Sequence, residues 1–192
     1  MIRTRVGYAG GTTNNPTYTN IGGHAETVQI EYDPTVISYD ELLNIFWKEH
    51  DPVFEPYSKQ YRSIVFYHNE DQKRLALESK QREEDKLTKK IYTEIIPFSA
   101  FYLAEDYHQK SYLRLFPEIL MEYERIYPDL NNLVNSTAVT RVNGYLGGYG
   151  TIQDLERNLS SFGLSPSSAK LLLEIGKRAL SSSNESPVCP IP

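Results

Sequence analysis

Cysteine is almost missing from this chain of 192 residues, which has only Cys189, close to the C-terminal end. One cysteine excludes a disulfide framework, a cysteine-rich zinc site and an internal dithiol. Basic residues are also in deficit, with 20 Lys and Arg against 25 Asp and Glu and a net charge of −5. A nucleic-acid surface needs clustered positive charge, so the sequence predicts no nucleic-acid partner.

Long apolar runs are missing as well. No stretch approaches the ~20 apolar residues of a membrane span, and residues 1–5 do not lead into the apolar core of a secretory signal. The sequence therefore predicts no membrane association and a cytoplasmic protein, or an organellar one if a targeting segment lies upstream. With 40% hydrophobic and 23% charged residues, the chain has the composition of a folded globular protein.

Alternating and apolar segments predict strands over residues 3–8, 25–32, 60–68, 91–96 and 98–103. In the second strand, period-two alternation places Glu26 on the same face as Val28 and Ile30. We expect this face to be buried. A carboxyl group in that position would be directed inward, where desolvation raises its pKa and keeps it neutral.

Helix signals follow in the second half and between the strands. Ser38 and Glu41 have the spacing of a capping box, and Trp47 lies on the apolar face of the helix that they begin, so core packing is expected for it. The helix should stop near His50. Further starts are marked by the residues Asn69, Pro117, Thr151 and Ser165-Pro166.

Five short segments carry a resemblance. They are Val6-Gly7-Tyr8-Ala9-Gly10-Gly11, Asn15-Pro16-Thr17-Tyr18, Gly23-His24-Ala25-Glu26, His50-Asp51-Pro52 with Gln60-Tyr61-Arg62-Ser63, and Ala104-Glu105-Asp106-Tyr107-His108-Gln109-Lys110. In this order and at these separations, over residues 3–113, the chain resembles the peptide methionine sulfoxide reductases of the A type.

The resemblance implies an α+β, ferredoxin-like fold that lacks its first strand and helix, with a reductase-like domain over 1–114. A helical extension over 115–180 and a disordered tail over 181–192 would follow. It also implies reduction of methionine-S-sulfoxide, free or in peptides, through a cysteine sulfenic acid that thioredoxin or a dithiol recycles. No bound cofactor and no metal are expected.

The resemblance assigns roles to three residues of this sequence. Glu26 matches the general acid, and Tyr8 and Tyr61 match the tyrosines that hold the sulfoxide oxygen. A structural interpretation stays open for each, because Glu26 could pair with His24 or Arg62 and tyrosines pack more often than they catalyse. His24 itself is expected to be structural.

The sequence departs from the family at the nucleophile. The family's Gly-Cys-Phe-Trp turn would lie upstream of Val6, and the place where a resolving cysteine can follow Gly-Tyr holds Leu146. Residues 53–59 are shorter than the common family loop. Cys189 has no basic neighbour to lower its pKa, so it is a spare thiol or a resolving thiol.

Three hypotheses remain open at this stage. In the first, the chain is part of an active reductase and is inactive alone. In the second, it is a pseudoenzyme that binds sulfoxide-containing peptides or acts as an interaction module. In the third, it is a related scaffold with an unrelated function.

Overall fold

Five strands form two small sheets in residues 1–182, the part of the chain that this computed structural model describes. They are β1 (Arg3–Ala9), β2 (Ala25–Glu31), β3 (Ile64–Tyr67), β4 (Glu94–Pro97) and β5 (Phe101–Leu103). One sheet has the order β2-β1-β5, and β5 runs antiparallel to β1. In the other sheet β3 runs parallel to β4, with Ile64 opposite Glu94.

The helices of the described residues lie between the strands and after them. They are α1 (Tyr39–Lys48), α2 (Glu70–Leu87), α3 (Ser111–Arg114), α4 (Pro117–Ile126), α5 (Leu130–Asn135), α6 (Thr137–Leu146), α7 (Ile152–Asn158) and α8 (Pro166–Ser182). This mixture of helices and sheets agrees with the predicted α+β class. No helix within these residues is both long and apolar enough to cross a bilayer.

Local capping explains where the helices begin. The Ser38 hydroxyl accepts the backbone N–H of Glu41 at 3.2 Å, and the Glu41 carboxylate accepts the backbone N–H of Ser38 at 2.8 Å. Asn69 caps α2 through Gln72, and Thr151 caps α7. The predicted helix starts at these three positions are therefore confirmed. An N-cap side chain marks a helix start because it satisfies backbone donors that the first helical turn leaves unpaired.

Helix α8 extends two residues into the segment predicted as a tail, because Ser181 and Ser182 lie in its last turn. The predicted tail itself stays a prediction. The rest of the predicted tail, 183–192, lies outside the described residues, and so does Cys189.

The described chain divides into two compact units. The first holds Met1 and Val6–Glu105, and the second holds Ile2–Arg5 with residues 106–182. This division comes earlier than the boundary predicted after residue 114, and the extent of the reductase-like domain stays a prediction.

The core of the first unit lies between α1, α2 and β3. Trp47 is 6% exposed, and its indole Nε1–H donates to the Ser79 hydroxyl of α2 at 3.0 Å. The apolar residues packed there are Leu43, Trp47, Val65, Ala76 and Ile91. The predicted core position of Trp47 is therefore confirmed.

The second unit packs its helices around a separate apolar core. Tyr123 is fully buried, and its hydroxyl donates to the Phe162 carbonyl at 3.0 Å. The other buried side chains of this core are Leu113, Ile119, Leu133, Val139, Val142, Tyr145, Leu146, Leu155, Phe162 and Leu172.

A buried lysine lies within the second unit. Lys110 is 6% exposed, and its ammonium donates to the Thr4 carbonyl at 2.6 Å and to the Thr140 hydroxyl at 2.9 Å. Burial lowers the pKa of Lys110 to about 8, and the positive charge of Arg5 acts in the same direction.

Because the folded pKa of Lys110 is lowered, the unfolded chain binds more protons between pH 8 and about 10.5. Relative to a chain without this lysine, we expect Lys110 to add about 2 kcal/mol to the change in the free energy of unfolding from pH 8 to pH 10. In urea unfolding, this change in the wild type should exceed that in Lys110→Met by this amount, whereas Lys170→Met, at an exposed position, should match the wild type. The same pH slope in the wild type and in Lys110→Met would contradict the expectation.

Candidate active site

A half-buried carboxylate, that of Glu105, connects β1 to the loop that follows it. Tyr8 is 1% exposed, and its hydroxyl donates to Glu105 Oε2 at 2.6 Å. The other oxygen of Glu105 accepts the backbone N–H of Tyr18 at 3.0 Å. Glu105 therefore fixes the position of Tyr18, and the hydroxyl of Tyr8 is directed to this carboxylate.

The exposed part of the site is built around Tyr61. The short 3₁₀ turn Lys59–Tyr61 carries it, and the ring is 42% exposed. Its hydroxyl lies 3.4 Å from the hydroxyl of Tyr18. This hydrogen bond, partial desolvation and the nearby carboxylate of Glu26 raise the pKa of Tyr61 to about 12, so the phenol keeps its proton near neutral pH.

Glu26 lies next to the same 3₁₀ turn. The side-chain amide of Gln60 donates to Glu26 Oε1 at 2.8 Å. Glu26, Tyr61 and Tyr18 thus form one polar cluster from β2, the 3₁₀ turn and the loop after β1. We call these three residues the Tyr61 cluster.

The predicted burial of Glu26 is wrong. Its side chain is exposed, and Val28, two residues further on the same face, is 55% exposed. The alternation identified which side chains share a face, but β2 is the last strand of its sheet and this face is not fully covered by the described residues. The carboxyl contacts Gln60 rather than His24 or Arg62, the two structural partners considered from the sequence.

Arg62 holds three of the motif segments together. Its Nη2 donates to the carbonyl of Gly10 at 3.1 Å and to that of Gly23 at 3.4 Å, and its Nη1 donates to Glu94 at 3.3 Å. Gly10 has φ of +80°, a conformation that glycine adopts without a steric penalty. The guanidinium therefore fixes the turn after β1 and the start of β2 beside the Tyr61 cluster.

Both ring nitrogens of His24 form hydrogen bonds with the backbone of the loop that follows β1. It is 1% exposed, its Nδ1 accepts the backbone N–H of Gly11 at 3.1 Å, and its Nε2 donates to the carbonyl of Thr13 at 2.8 Å. A methyl group at Gly11 would come within 2.5 Å of the His24 ring, so only glycine fits there. This is the structural role expected for the histidine.

Aromatic surface lies beside the polar cluster. Tyr57 is 76% exposed, and its ring centroid is 5.2 Å from that of Tyr61. The surface thus combines two phenol hydroxyls and a carboxylate with exposed aromatic faces. Such an arrangement can bind a small, strongly polar oxygen acceptor that carries an apolar group.

Within residues 1–182, no group of three or more His, Cys, Asp or Glu side chains is arranged to hold a metal ion. Three residues of the site had no role predicted from the sequence: Tyr18, Gln60 and Glu105. Each lies inside one of the five motif segments, which is the signal that marked them. Their contacts join positions 34 to 97 residues apart, so the pairings could be identified only from the fold.

Comparison with known proteins places this site in a family. The family model for peptide methionine sulfoxide reductase matches residues 1–141. A peptide methionine sulfoxide reductase of Drosophila melanogaster is 41% identical over 168 residues, covering 86% of this chain and 67% of that protein. The MsrA of Sulfolobus acidocaldarius is 49% identical over 121 residues, covering 58% of this chain and 69% of that one.

A solved structure extends the likeness to the fold. Methionine sulfoxide reductase A of Corynebacterium diphtheriae superposes with a TM-score of 0.54 and 35% identity, over 59% of this chain and 63% of that one. The predicted α+β reductase fold is therefore confirmed, and the chain spans about two thirds of the length of these relatives. Because the family model covers the motif segments and most of the residues around them, this chain belongs to the peptide methionine sulfoxide reductase family.

Proposed function

We propose that this chain carries the sulfoxide-recognition part of a peptide-methionine (S)-S-oxide reductase, and that it binds methionine-S-sulfoxide without reducing it on its own. The Tyr61 cluster is the observation that supports this most strongly. It presents two phenol hydroxyls, 3.4 Å apart, next to the carboxyl group of Glu26.

The chemistry of a sulfoxide explains why such a cluster suits it. The sulfoxide oxygen is a strong hydrogen-bond acceptor, and phenol hydroxyls that stay protonated can donate to it. The methyl group on sulfur can pack on an aromatic face, and Tyr57 and Tyr61 offer two of them. Tyr8 is proposed to act through Glu105 and Tyr18, since its own hydroxyl is buried against the carboxylate.

In the complete reaction, a cysteine thiolate attacks the sulfoxide sulfur while Glu26 protonates the departing oxygen. The attack forms a bond between the two sulfur atoms. The protonated oxygen then passes from the substrate sulfur to the cysteine sulfur while the S–O and S–S bonds break, so methionine leaves with its sulfur reduced by two electrons and the cysteine is oxidised to a sulfenic acid. A second thiol condenses with it, releasing water, and thioredoxin or a dithiol reduces the resulting disulfide. Cys189 is the only cysteine of this chain, and no basic residue next to it in the sequence lowers its pKa, so we propose that Cys189 does not supply the attacking thiolate.

Calorimetric titration with acetyl-methionine-S-sulfoxide amide tests the binding. The peptide is expected to bind, and the methionine peptide without the oxygen is not. Tyr61→Phe should weaken binding about 5- to 10-fold, the effect of losing one hydrogen bond of ~1 to 1.5 kcal/mol. Tyr107→Phe, an exposed tyrosine of the second unit, should bind as the wild type does.

Two results would contradict the proposal. The first is no heat at millimolar sulfoxide, which would also remove the pseudoenzyme hypothesis. The second is equal affinity for the sulfoxide and for methionine. Micromolar affinity without any reduction would favour a non-catalytic module that binds sulfoxide-containing peptides.

A further inference from the structure

One loop carries both exposed aromatic residues of the candidate site. It spans residues 49–63, between the end of α1 and the start of β3, and includes Tyr57 and Tyr61. We call it the Tyr61 loop. The Tyr61 hydroxyl lies 3.4 Å from that of Tyr18, near the limit of a hydrogen bond, so a small shift of the loop separates the two groups.

Both ends of the Tyr61 loop are attached to the same short segment. Near its start, the carbonyl of Pro52 accepts the backbone N–H of Tyr92 at 2.9 Å. At its end, the carbonyl of Ser63 accepts the backbone N–H of Glu94, also at 2.9 Å. The residue between these two donors is Thr93, which is 1% exposed.

The side chain of Thr93 joins the two ends of the loop directly. Its hydroxyl lies 3.1 Å from Nε2 of His50, at the start of the loop, and 3.2 Å from the hydroxyl of Ser63, at its end. The backbone carbonyl of Thr93 accepts the ammonium of Lys80, on α2, at 2.8 Å. We call His50, Thr93 and Ser63 the Thr93 network.

The surroundings of His50 set the direction of these hydrogen bonds. Its Nδ1 lies 2.7 Å from the Phe46 carbonyl, which can only accept, so Nδ1 carries a proton. Burial lowers the pKa of His50 against the opposing effects of that carbonyl and of Asp51, so the ring is neutral above pH 7 and Nε2 is an acceptor. The Thr93 hydroxyl has one proton and donates it to Nε2. The Ser63 hydroxyl then donates to the Thr93 oxygen.

We propose that His50 and Thr93 are positioning residues, which fasten the two ends of the Tyr61 loop and so place the Tyr61 hydroxyl where a sulfoxide oxygen can accept its proton. Both act through the backbone of the loop rather than on the substrate. The effect on sulfoxide binding rests on the proposed function of the Tyr61 cluster, whereas the effect on the loop does not.

Thr93→Val and Thr93→Ser form a matched pair of variants. Valine has nearly the shape of threonine but no hydroxyl, so it leaves Nε2 of His50 and the hydroxyl of Ser63 without their common partner. Serine keeps the hydroxyl and loses the methyl group. A role in packing alone makes serine the poorer substitute, and the proposed role makes valine the poorer one. Circular dichroism melting shows that both variants fold.

Hydrogen exchange followed by NMR in the chain without ligand tests the attachment of the loop. In Thr93→Val, the amide of Tyr92 should exchange at least about 5-fold faster than in the wild type, because the start of the loop moves away from this donor. In Thr93→Ser it should exchange within about twofold of the wild type. The amide of Ala76, which is buried in α2, is the internal reference and should keep its rate.

Titration with acetyl-methionine-S-sulfoxide amide tests the consequence for binding. Thr93→Val should weaken the affinity about 5-fold or more, since the Tyr61 hydroxyl is displaced from the bound oxygen. Thr93→Ser should bind within about twofold of the wild type.

The protonation of the His50 ring can be measured in the wild type alone. Two-bond correlation of the ring nitrogens with the carbon-bound protons, at about pH 7.5, distinguishes the two neutral forms of the ring by NMR. We expect the proton on Nδ1 and none on Nε2.

Three results would overturn the proposal. The first is a His50 ring with its proton on Nε2. The second is a folded Thr93→Val variant with unchanged exchange at Tyr92, or with unchanged sulfoxide affinity when the wild type binds. The third is a larger loss in Thr93→Ser than in Thr93→Val, which would indicate packing. If the wild type binds no sulfoxide, the proposed function fails, and the His50 proton and the Tyr92 exchange still decide whether the Thr93 network holds the loop.

Discussion

The 192-residue chain is expected to produce no methionine from methionine-S-sulfoxide in dithiothreitol. A fusion that adds an N-terminal strand, turn and helix with the sequence Gly-Cys-Phe-Trp is expected to produce it. Oxygen transfer from sulfur needs a soft nucleophile, and this chain has only Cys189. The difference in rate should be about 10³-fold or more, the scale of removing a nucleophile. Chromatographic measurement of methionine gives the rates.

The control is the same fusion with Gly-Ser-Phe-Trp in the added segment, which should be inactive. This control separates the thiol from any structural effect of the segment. The account fails if the unfused chain reduces the sulfoxide and Cys189→Ser leaves that rate unchanged, because the reaction would then proceed without a thiol of this protein.

In the active fusion, Glu26→Gln is expected to lower the rate of sulfoxide reduction by about 10²-fold or more while substrate affinity changes little. The glutamine has nearly the same shape and can still accept the hydrogen bond from Gln60, but it has no acidic proton for the departing oxygen. Single-turnover kinetics near neutral pH isolates this step. Tyr61→Phe should cost less, since the Tyr18 hydroxyl remains beside the oxygen.

Glu70→Gln serves as the matched control for the loss of a carboxyl group. Glu70 lies in the first turn of α2, and its side chain is 83% exposed. The Glu70→Gln variant of the fusion should reduce the sulfoxide at the rate of the unaltered fusion. If Glu26→Gln also reacts at the unaltered rate, the carboxyl of Glu26 has a structural role, which is its contact with Gln60.

The helices could be predicted from the sequence because their signals are local. The Ser38 and Glu41 pair and the Asn69 and Gln72 pair lie three residues apart, and each acts within one helical turn. The core position of Trp47 follows from the spacing of apolar residues in α1. These predictions need no knowledge of what the helix packs against.

The surroundings of β2 could not be predicted in the same way. Alternation correctly groups Glu26 with Val28, but burial depends on which element covers that face. The structure places a groove along the strand instead of a packed layer. The inward carboxylate expected from the sequence was therefore wrong, although Glu26 remains close to Tyr61.

The contacts within the site could not be predicted from the sequence either. Tyr18 and Tyr61 are 43 residues apart, and Tyr8 and Glu105 are 97 apart. The motif segments indicated which parts of the chain form the site. Which residues contact each other depends on the hydrogen bonds by which Arg62 and Glu105 hold the loops in place. The role of Gln60 as the partner of Glu26 emerged only from the fold.

The most direct test of sulfoxide recognition is an NMR titration of the unfused chain with the two epimers of acetyl-methionine sulfoxide amide. Our account predicts that the S-epimer shifts the resonances of Tyr18, Gln60 and Tyr61 in a saturable way, and that the R-epimer shifts them far less. Equal shifts with both epimers, or saturable shifts confined to residues away from Glu26 and Tyr61, would contradict it.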